Sequence, residues 1–222
     1  MNPSDRAPMI SVPPPAARAT SRLDMLRALP RRDGIASHFY WEHAFGSDAV
    51  KVLPGELYVD DRPILILTVL GSCVAACLQD RKAGVGGMNH FMLPDGAADA
   101  GGRYGAHAME LLINELLKRG AQRGRLEAKV FGGGRVMQGF TSMNIGEQNV
   151  AFIDRFLAAE RIPVVSRDVL DVHPRKVCFF PTTGRALVKK LAAAGDGAVV
   201  AEESSYRQRI ATKPAAGSVE LF

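Results

Sequence analysis

The sequence predicts an α+β (mixed α/β) domain with largely antiparallel β-sheets packed together and flanked by two main helices. Between residues 50 and 94, apolar or β-branched runs alternate with turn residues, which is typical of strands. Two later segments, residues 104–119 and about 144–161, repeat apolar residues at helical spacing. Further strand-like runs lie between and after these helices, so strands come first and are then mixed with helices.

The predicted elements follow in order along the chain. The first four strand-like runs are residues 50–59, 63–70, 73–80 and 84–93. After the first helix, which Gly120 ends as a C-cap, residues 126–131 form a strand that leads into three glycines. After the second helix Pro163 starts another strand. Residues 175–180 and 185–191 form a predicted hairpin around residues 181–184.

The chain divides into three predicted parts. Residues 1–49 form a flexible N-terminal arm that is rich in Pro, Ala and Ser at its start, with a short helix predicted at 21–29 and an aromatic anchor at 38–45. Residues 50–200 form the main domain. Residues 201–222 form a C-terminal tail, whose last fifteen or so residues we expect to be frayed.

Length and composition are those of one globular domain. The chain has 222 residues, of which 47% are apolar and 23% charged. Its apolar runs are shorter than the roughly 20 residues that a membrane span needs, and its N-terminus has no apolar segment typical of a secretory signal. Cys73, Cys77 and Cys178 are odd in number and lack CxxC spacing, which argues against disulfides or a zinc site. We therefore expect a cytoplasmic protein without membrane insertion.

The net charge of +5 is concentrated in residues 161–190. This segment has seven basic and two acidic residues, so its local surplus equals that of the whole chain. A solvated strand face is the simplest explanation, and docking of an acidic partner is the alternative. Neither aromatic interleaving nor a nucleic-acid motif accompanies these charges, so nucleic-acid binding is not predicted.

The segment at residues 68–94 is the most informative for chemistry. Cys73 follows Gly71 and Ser72 at a break between two apolar runs. A glycine at such a break lets the backbone turn sharply and brings amide N–H groups close together, and such groups can bind an oxyanion. A free cysteine is, however, more often a small buried hydrophobe. Cys77 and Cys178 fit that description better than Cys73 does.

His90 lies seventeen residues after Cys73, behind Gly86 and Gly87. A cysteine and a histidine on neighbouring strands can meet across a sheet, and an adjacent imidazole activates a thiol as a nucleophile. The remaining histidines are predicted to be surface or core residues; they are His38, His43, His107 and His173.

The segments LGSCVAACL and GGMNHFMLP resemble the signature of CheD, the chemoreceptor glutamine deamidase of bacterial chemotaxis. The segments LEAKVFGGG, MNIGEQN and PRKVCFFPTTGRALVKKL continue the resemblance, which covers roughly residues 50–191. It implies that the main domain is catalytic and that Cys73 attacks a receptor glutamine, with His90 as base. It further implies a thioester intermediate and an oxyanion site at the backbone amides of Gly71, Ser72 and Cys73.

The family also has a threonine that supports the Cys–His pair, six residues before the cysteine. This sequence has Leu67 at that position, and Thr68 lies five residues before Cys73. A shift of one residue in a regular strand turns the side chain to the other face. Thr68 is therefore a candidate if the strand has a bulge or the loop differs. Ser72, Asn89 or a backbone carbonyl are the alternatives for orienting His90.

The glycine triplet at 132–134 is not followed by the GK[ST] of a P-loop, so we expect a close backbone approach to the active site or to substrate instead. Asn144, Gly146 and Asn149 are interpreted as a helix cap and polar packing. Spacing along the chain indicates no metal site, and we expect no metal and no cofactor.

Three functions remain open. The first is a protein-glutamine glutaminase acting on methyl-accepting chemotaxis receptors, with a CheC-type phosphatase as a further candidate partner. The second is a non-catalytic adaptor that binds receptors or a phosphatase. The third, a general thiol protease or acyltransferase, shares the Cys–His chemistry.

Overall fold

The computed structural model describes residues 21–93, 98–135, 145–192 and 197–212. The helices are α1 (Arg22–Arg27), α2 (Ala98–Lys118), α3 (Ile145–Ala159) and α4 (Gly197–Thr212). The strands are β1 (His38–Glu42), β2 (Ser47–Lys51), β3 (Leu57–Asp60), β4 (Leu65–Leu70), β5 (Val74–Asp80), β6 (Val85–Asn89), β7 (Glu127–Gly132), β8 (Val164–Val169), β9 (Arg175–Phe180) and β10 (Arg185–Lys190).

The strands form two five-stranded sheets. The first has the order β1-β2-β4-β9-β10, and the second has the order β3-β6-β5-β7-β8. Pairing is antiparallel in each sheet except for one parallel pair, β2 with β4 in the first and β7 with β8 in the second. The predicted class and the largely antiparallel pairing are confirmed.

The two sheets and the helices make consecutive layers. A core between the sheets combines residues of the first sheet, such as Ile66 and Phe179, with residues of the second, such as Met88 and Phe131. The other face of the second sheet packs against α2 and α3 through a separate apolar cluster, to which α2 contributes Leu112. The site residues described below lie on β4 of the first sheet, directly before β5 and directly after β6 of the second. They are buried, so water is largely excluded from them.

Most predicted elements lie where the sequence placed them. The helix at 21–29 is confirmed by α1, where Ser21 and Asp24 form a capping box. The hairpin around residues 181–184 is confirmed by β9 and β10, whose register runs from Arg185 opposite Phe180 to Lys190 opposite Arg175. The predicted run at 50–59 is instead two strands, β2 and β3, separated by a turn at Pro54 and Gly55.

The ends of the main domain differ in detail from the sequence-based division. The aromatic segment at 38–45 contains a true edge strand, β1, because its residues pair with β2 in antiparallel register. The boundary at residue 50 falls inside β2, and the boundary at residue 201 falls inside α4. The division itself stays a prediction, and residues 1–20 and 213–222 lie outside the described part of the chain.

Carboxylates of the chain pair with four of the seven basic residues at 161–190. The ion pairs are Arg167 with Asp154, Arg175 with Asp168, Lys176 with Glu42 and Lys190 with Asp171. Arg175 is buried, and its guanidinium also donates to the backbone carbonyls of Leu170 and His173. Asp154 and Glu42 lie outside the segment, so their pairs reduce the surplus charge that it can offer to an acidic partner. Docking of such a partner stays a prediction.

Candidate active site

The loop of residues 71–73 joins β4 to β5 and carries the predicted nucleophile. Cys73 lies directly before β5 and is completely buried. Its carbonyl accepts a hydrogen bond of 2.7 Å from the amide of Gly133, and the carbonyl of Gly71 accepts one of 2.7 Å from the amide of Gly134. The glycine triplet therefore holds this loop through its backbone.

Gly132 shows why glycine is required in the triplet. Its φ is +106°, and a Cβ built there would lie 2.2 Å from the carbonyl oxygen of Cys73. A side chain would therefore be strained by the backbone and would collide with the loop. The glycine backbone thus lies close against the 71–73 loop, and the assignment of that loop to an active site stays a prediction.

Asn149 on α3 fixes the same loop from another side. Its Nδ2 donates to the carbonyl of Ser72 at 2.9 Å, and its Oδ1 accepts from the amide of Leu93 at 2.8 Å. The side chain is fully buried, which agrees with its interpretation as a polar packing group. Asn144 lies outside the described residues, and Gly146 lies in the first turn of α3.

The amide groups of the 71–73 loop converge on one carboxylate, that of Glu203 on α4. Oε1 accepts from the amides of Gly71 at 2.8 Å and Cys73 at 3.1 Å. Oε2 accepts from the amide of Ser72 at 2.9 Å and from its hydroxyl at 2.8 Å. Successive amides that point at one anion form a nest. The residues predicted to hold an oxyanion thus bind an anion here, and their part in catalysis stays a prediction.

His90 follows β6 and is 2% exposed. Its backbone is tied to the turn before β3: its amide donates to the carbonyl of Glu56 at 3.0 Å, and its carbonyl accepts from the amide of Gly55 at 2.7 Å. Its Nδ1 lies 2.8 Å from Oγ1 of Thr68. The ring is thereby held both at the backbone and at one nitrogen.

The Thr68 hydroxyl determines the tautomer of a neutral His90. Oγ1 donates its single hydrogen to the carbonyl of Val52 at 2.8 Å, so it can only accept from His90. Nδ1 of His90 must then carry the hydrogen, and Nε2 keeps its lone pair. Nε2 has no hydrogen-bond partner among the described residues. The ring therefore has the form that a general base needs.

Strand alternation explains why Thr68, and not Leu67, lies beside His90. β4 pairs with β9 in continuous register, without a bulge. Thr68 shares the inner face of β4 with Ile66 and Leu70, which belong to the core between the sheets. Leu67 lies on the outer face, in a cluster that includes Cys178. The bulge considered from the sequence is not needed.

The other residues considered for orienting His90 have different partners. The Ser72 hydroxyl donates to Glu203. Asn89 accepts from the amide of Ala76 at 3.0 Å and donates to the carbonyl of Ala108 at 3.2 Å, so it links β5 to α2. Among the candidate side chains, Thr68 makes the contact with the ring. The backbone of Val52 also forms a hydrogen bond with His90, which favours the charged ring and opposes the lowering of its pKa.

Cys73, His90 and Glu203 come together in the folded chain. The sulfur of Cys73, a ring nitrogen of His90 and a carboxylate oxygen of Glu203 lie within 4.8 Å of one another. Thiolate, imidazole and carboxylate are ligand types that Zn²⁺ accepts, so the fold assembles a donor set that spacing along the chain does not indicate. Both oxygens of Glu203 already accept hydrogen bonds from the loop, and a metal would have to compete with them. The absence of a metal stays a prediction.

The burial of the site favours the neutral forms of both groups. Desolvation raises the pKa of the Cys73 thiol well above its ordinary value, and the negative charge of Glu203 raises it further. Desolvation lowers the pKa of His90 to about 4, while the charge of Glu203 opposes this shift. With α4 in this position the site therefore holds a thiol and a neutral imidazole.

The other cysteines are core residues, as predicted. Cys77 lies between the sheets with 1% of its surface exposed, and burial raises the pKa of its thiol. Cys178 is 6% exposed in the outer cluster of the first sheet. Neither of them belongs to the group formed by Cys73, His90 and Glu203.

Sequence analysis missed Glu203 because it lies in a segment interpreted as tail. The only sequence signal is its spacing from two further residues of α4, Tyr206 and Ile210, which also face the core between the sheets. This spacing of three and four residues is helical. It could have indicated a helix, but not the element on which the helix packs.

A thiol, an oriented imidazole and a nest of amides are the groups with which cysteine hydrolases work. Comparison with known proteins agrees with this class. The sequence profile described as CheD chemotactic sensory transduction matches residues 92–190. The probable chemoreceptor glutamine deamidase CheD 1 of Albidiferax ferrireducens is 57% identical over 93% of this chain and 89% of that protein. The probable chemoreceptor glutamine deamidase CheD of Thiobacillus denitrificans is 56% identical over 85% of this chain and 96% of that protein.

The chain belongs to the CheD family, because similarity at this level extends over most of both sequences. A crystal structure of the Bacillus licheniformis hypothetical protein YfiH matches 52% of this chain and 49% of that chain at 13% identity, with a TM-score of 0.33, which is too low to indicate a common fold. Within the described ranges, no helix is both long and apolar enough to span a membrane.

Proposed function

We propose that this protein hydrolyses glutamine side-chain amides of methyl-accepting chemotaxis receptors to glutamate, with Cys73 as nucleophile and His90 as general base. The observation that carries the proposal is the Val52–Thr68–His90 chain of hydrogen bonds, which leaves Nε2 of His90 unprotonated. A ring nitrogen of His90 lies within 4.8 Å of the Cys73 sulfur. The names of the relatives supply the substrate class.

The proposed reaction begins with proton transfer from the Cys73 sulfur to Nε2 of His90. The thiolate attacks the side-chain carbonyl carbon of glutamine, and the amides of the 71–73 loop bind the oxygen that becomes negative. The carbon–nitrogen bond breaks as Nε2 gives its proton to the leaving ammonia. A thioester on Cys73 remains.

The second half of the proposed reaction restores the enzyme. Nε2 removes a proton from water, which attacks the thioester carbon; the carbon–sulfur bond breaks, and the sulfur takes that proton back from Nε2. Thr68 acts as a positioning residue, because its hydroxyl keeps the proton of Nδ1 in place throughout. The product is a carboxylate on the receptor, which changes charge repulsion along the receptor helices and creates a methylation site.

The site of action follows from the substrate. The proposal places the protein in the cytoplasm, at the cytoplasmic region of receptors. A CheC-type phosphatase is a further proposed partner, and nothing described above depends on it.

The test is deamidation of a purified receptor fragment, followed as release of ammonia and as appearance of glutamate. We expect turnover by the wild type and a loss of about 10²-fold or more in Cys73→Ala and His90→Ala, since each removes a group used in both half-reactions. Unchanged turnover in Cys73→Ala would refute the proposal.

A receptor-binding adaptor is the second candidate, and the complete burial of Cys73 favours it. Retained binding of the fragment by the wild type, without any release of ammonia, would support the adaptor. The same assay therefore separates the two functions.

A further inference from the structure

Glu203 is a buried carboxylate that hydrogen bonds from the backbone amides of the 71–73 loop hold in place. It is 2% exposed, and its two oxygens accept from three consecutive amides and one hydroxyl of the 71–73 loop. Among the ion pairs of the described ranges, none includes Glu203, so N–H and O–H dipoles hold its charge. A carboxylate is costly to bury, and a pocket of oriented donors is what makes this position favourable.

The same donors are those assigned above to the oxygen of the substrate. A glutamate side chain has the length and the shape of a glutamine side chain, and glutamate is also the product of the proposed reaction. The carboxylate of Glu203 lies within 4.8 Å of the sulfur that would attack and of the ring that would supply the proton. Its oxygens thus stand in for those of a newly formed product carboxylate.

The rest of α4 is seated beside the site. Tyr206 faces the hydroxyl of Tyr104 on α2, and its ring packs so closely on Gly55 that a Cβ there would lie 2.7 Å from it. Glu202 lies 3.4 Å from the Nζ of Lys51. Tyr104, Gly55 and Lys51 thus contact α4 from the rest of the chain, while Glu203 of the same helix reaches the amide nest.

We propose that α4 is an intramolecular product mimic, which places Glu203 where a receptor glutamine is converted and closes the site while it is docked. The proposal rests on the proposed deamidase function and deepens it. It implies that the substrate is a glutamine carried on an α-helix, which takes the same place after α4 has left. The charge of Glu203 also opposes formation of the Cys73 thiolate, so the docked form is the resting form.

The decisive experiment replaces Glu203 by glutamine, so that residue 203 becomes a possible substrate for Cys73 of the same chain. In Glu203→Gln, the Cys73 sulfur would attack the side-chain carbonyl carbon of residue 203, ammonia would leave with the proton from His90, and water would release glutamate. Mass spectrometry of the peptide containing residue 203 detects the replacement of NH₂ by OH. We expect conversion in Glu203→Gln and no conversion in the double variant that also carries Cys73→Ala.

Glu202→Gln is the matched control for spontaneous deamidation. Residue 202 is the direct neighbour on the same helix, yet it lies beside Lys51 and not on the nest. We expect its glutamine to persist under conditions that convert residue 203.

A second variant keeps the proposal testable if Glu203→Gln weakens the docking of α4. Glu203→Ala removes the carboxylate, and we expect it to deamidate a receptor fragment with a KM about tenfold or more lower than the wild type, because less of the enzyme is closed. Ser205→Ala, on the exposed side of α4, should behave as the wild type does.

The two proposals fail in different ways. Unconverted glutamine at residue 203, together with a wild-type KM in Glu203→Ala, overturns the product mimic while the receptor assay leaves the deamidase proposal intact. Unconverted glutamine at residue 203 together with no receptor turnover by the wild type overturns both. Conversion that depends on Cys73 supports the product mimic.

Discussion

Thr68 illustrates how one hydroxyl can determine the chemistry of a neighbouring ring. Its hydrogen is committed to the carbonyl of Val52, so the oxygen can only accept from Nδ1 of His90. The carbonyl of Val52 therefore fixes the tautomer of His90 through the Thr68 hydroxyl, although this carbonyl does not itself take part in the reaction. A serine could make the same two bonds, whereas valine has the shape of threonine but no hydroxyl.

We expect Thr68→Val to lower kcat for deamidation by about 10- to 10²-fold, less than the loss of the base itself. The KM should change little, because Thr68 is buried and its hydroxyl bonds to Val52 and His90. The measurement is steady-state ammonia release, with Thr68→Ser as the matched control that keeps most of the activity. Equal losses in the serine and valine variants would show that the hydroxyl does not position His90.

At the scale of elements, α3 supports the nucleophile loop through Asn149. The side chain spans from the carbonyl of Ser72 to the amide of Leu93, so it connects the loop before β5 to the segment after β6. These segments carry Cys73 and His90 respectively. The geometry of the pair therefore depends on a helix that supplies no reacting group.

We expect Asn149→Leu to lower the free energy of unfolding by about 1–3 kcal/mol for each polar group left buried without a partner. Activity should fall as well, because the loop loses a fixed point. Chemical denaturation measures the first effect, and ammonia release measures the second.

Asp154→Asn is the control on the same helix. Its ion pair with Arg167 lies at the surface, so we expect a change of at most about 1 kcal/mol and unchanged activity. A similar loss of stability in both variants would mean that Asn149 has no special structural role.

At the scale of the whole molecule, enclosing the site between two sheets makes stability depend on pH. Desolvation lowers the pKa of His90 from its ordinary 6.5 to about 4, against the opposing charge of Glu203. Between these values the unfolded chain binds a proton that the folded chain does not bind. The contribution of His90 is therefore fully present above about pH 6.5 and is lost as the pH falls towards about 4.

We expect the free energy of unfolding of the wild type to fall more steeply between about pH 6.5 and 4 than that of His90→Gln. Denaturation curves at a series of pH values give this difference directly. His43→Gln, at an exposed position, serves as the control and should follow the wild type. Parallel curves for the wild type and His90→Gln would contradict the buried neutral imidazole.

The element pattern was predictable from the sequence because local rules decide it. Alternating apolar runs, helical spacing and the turn around residues 181–184 gave most strands, the first three helices and the hairpin in the correct order. The predicted run at 50–59 covers two strands, and the predicted tail contains most of α4. The edge strand β1 was missed because its aromatic residues also fit an arm that packs on the surface. Its pairing with β2 is a contact between elements, which a local pattern does not contain.

The candidate site was predictable in part for the same reason. Cys73 and His90 stand beside glycines at breaks in the apolar pattern, and the resemblance to a family assigned them roles. Thr68 was ambiguous because the register of β4 against its neighbours decides which residues face inward. The pairing of β4 with β9 places Thr68 on the inner face of β4 by the regular alternation of side chains along a strand.

By itself, then, the sequence determined the fold class, the order of most elements and the candidate pair Cys73 and His90, because these depend on neighbours along the chain. Only the tertiary structure decided which groups meet. It brought Glu203 across about 130 residues of chain to the amides of the 71–73 loop, and it placed Thr68 on Nδ1 of His90. The physical reason is that burial and hydrogen-bond satisfaction are settled between elements, where the spacing of residues in the sequence carries no information.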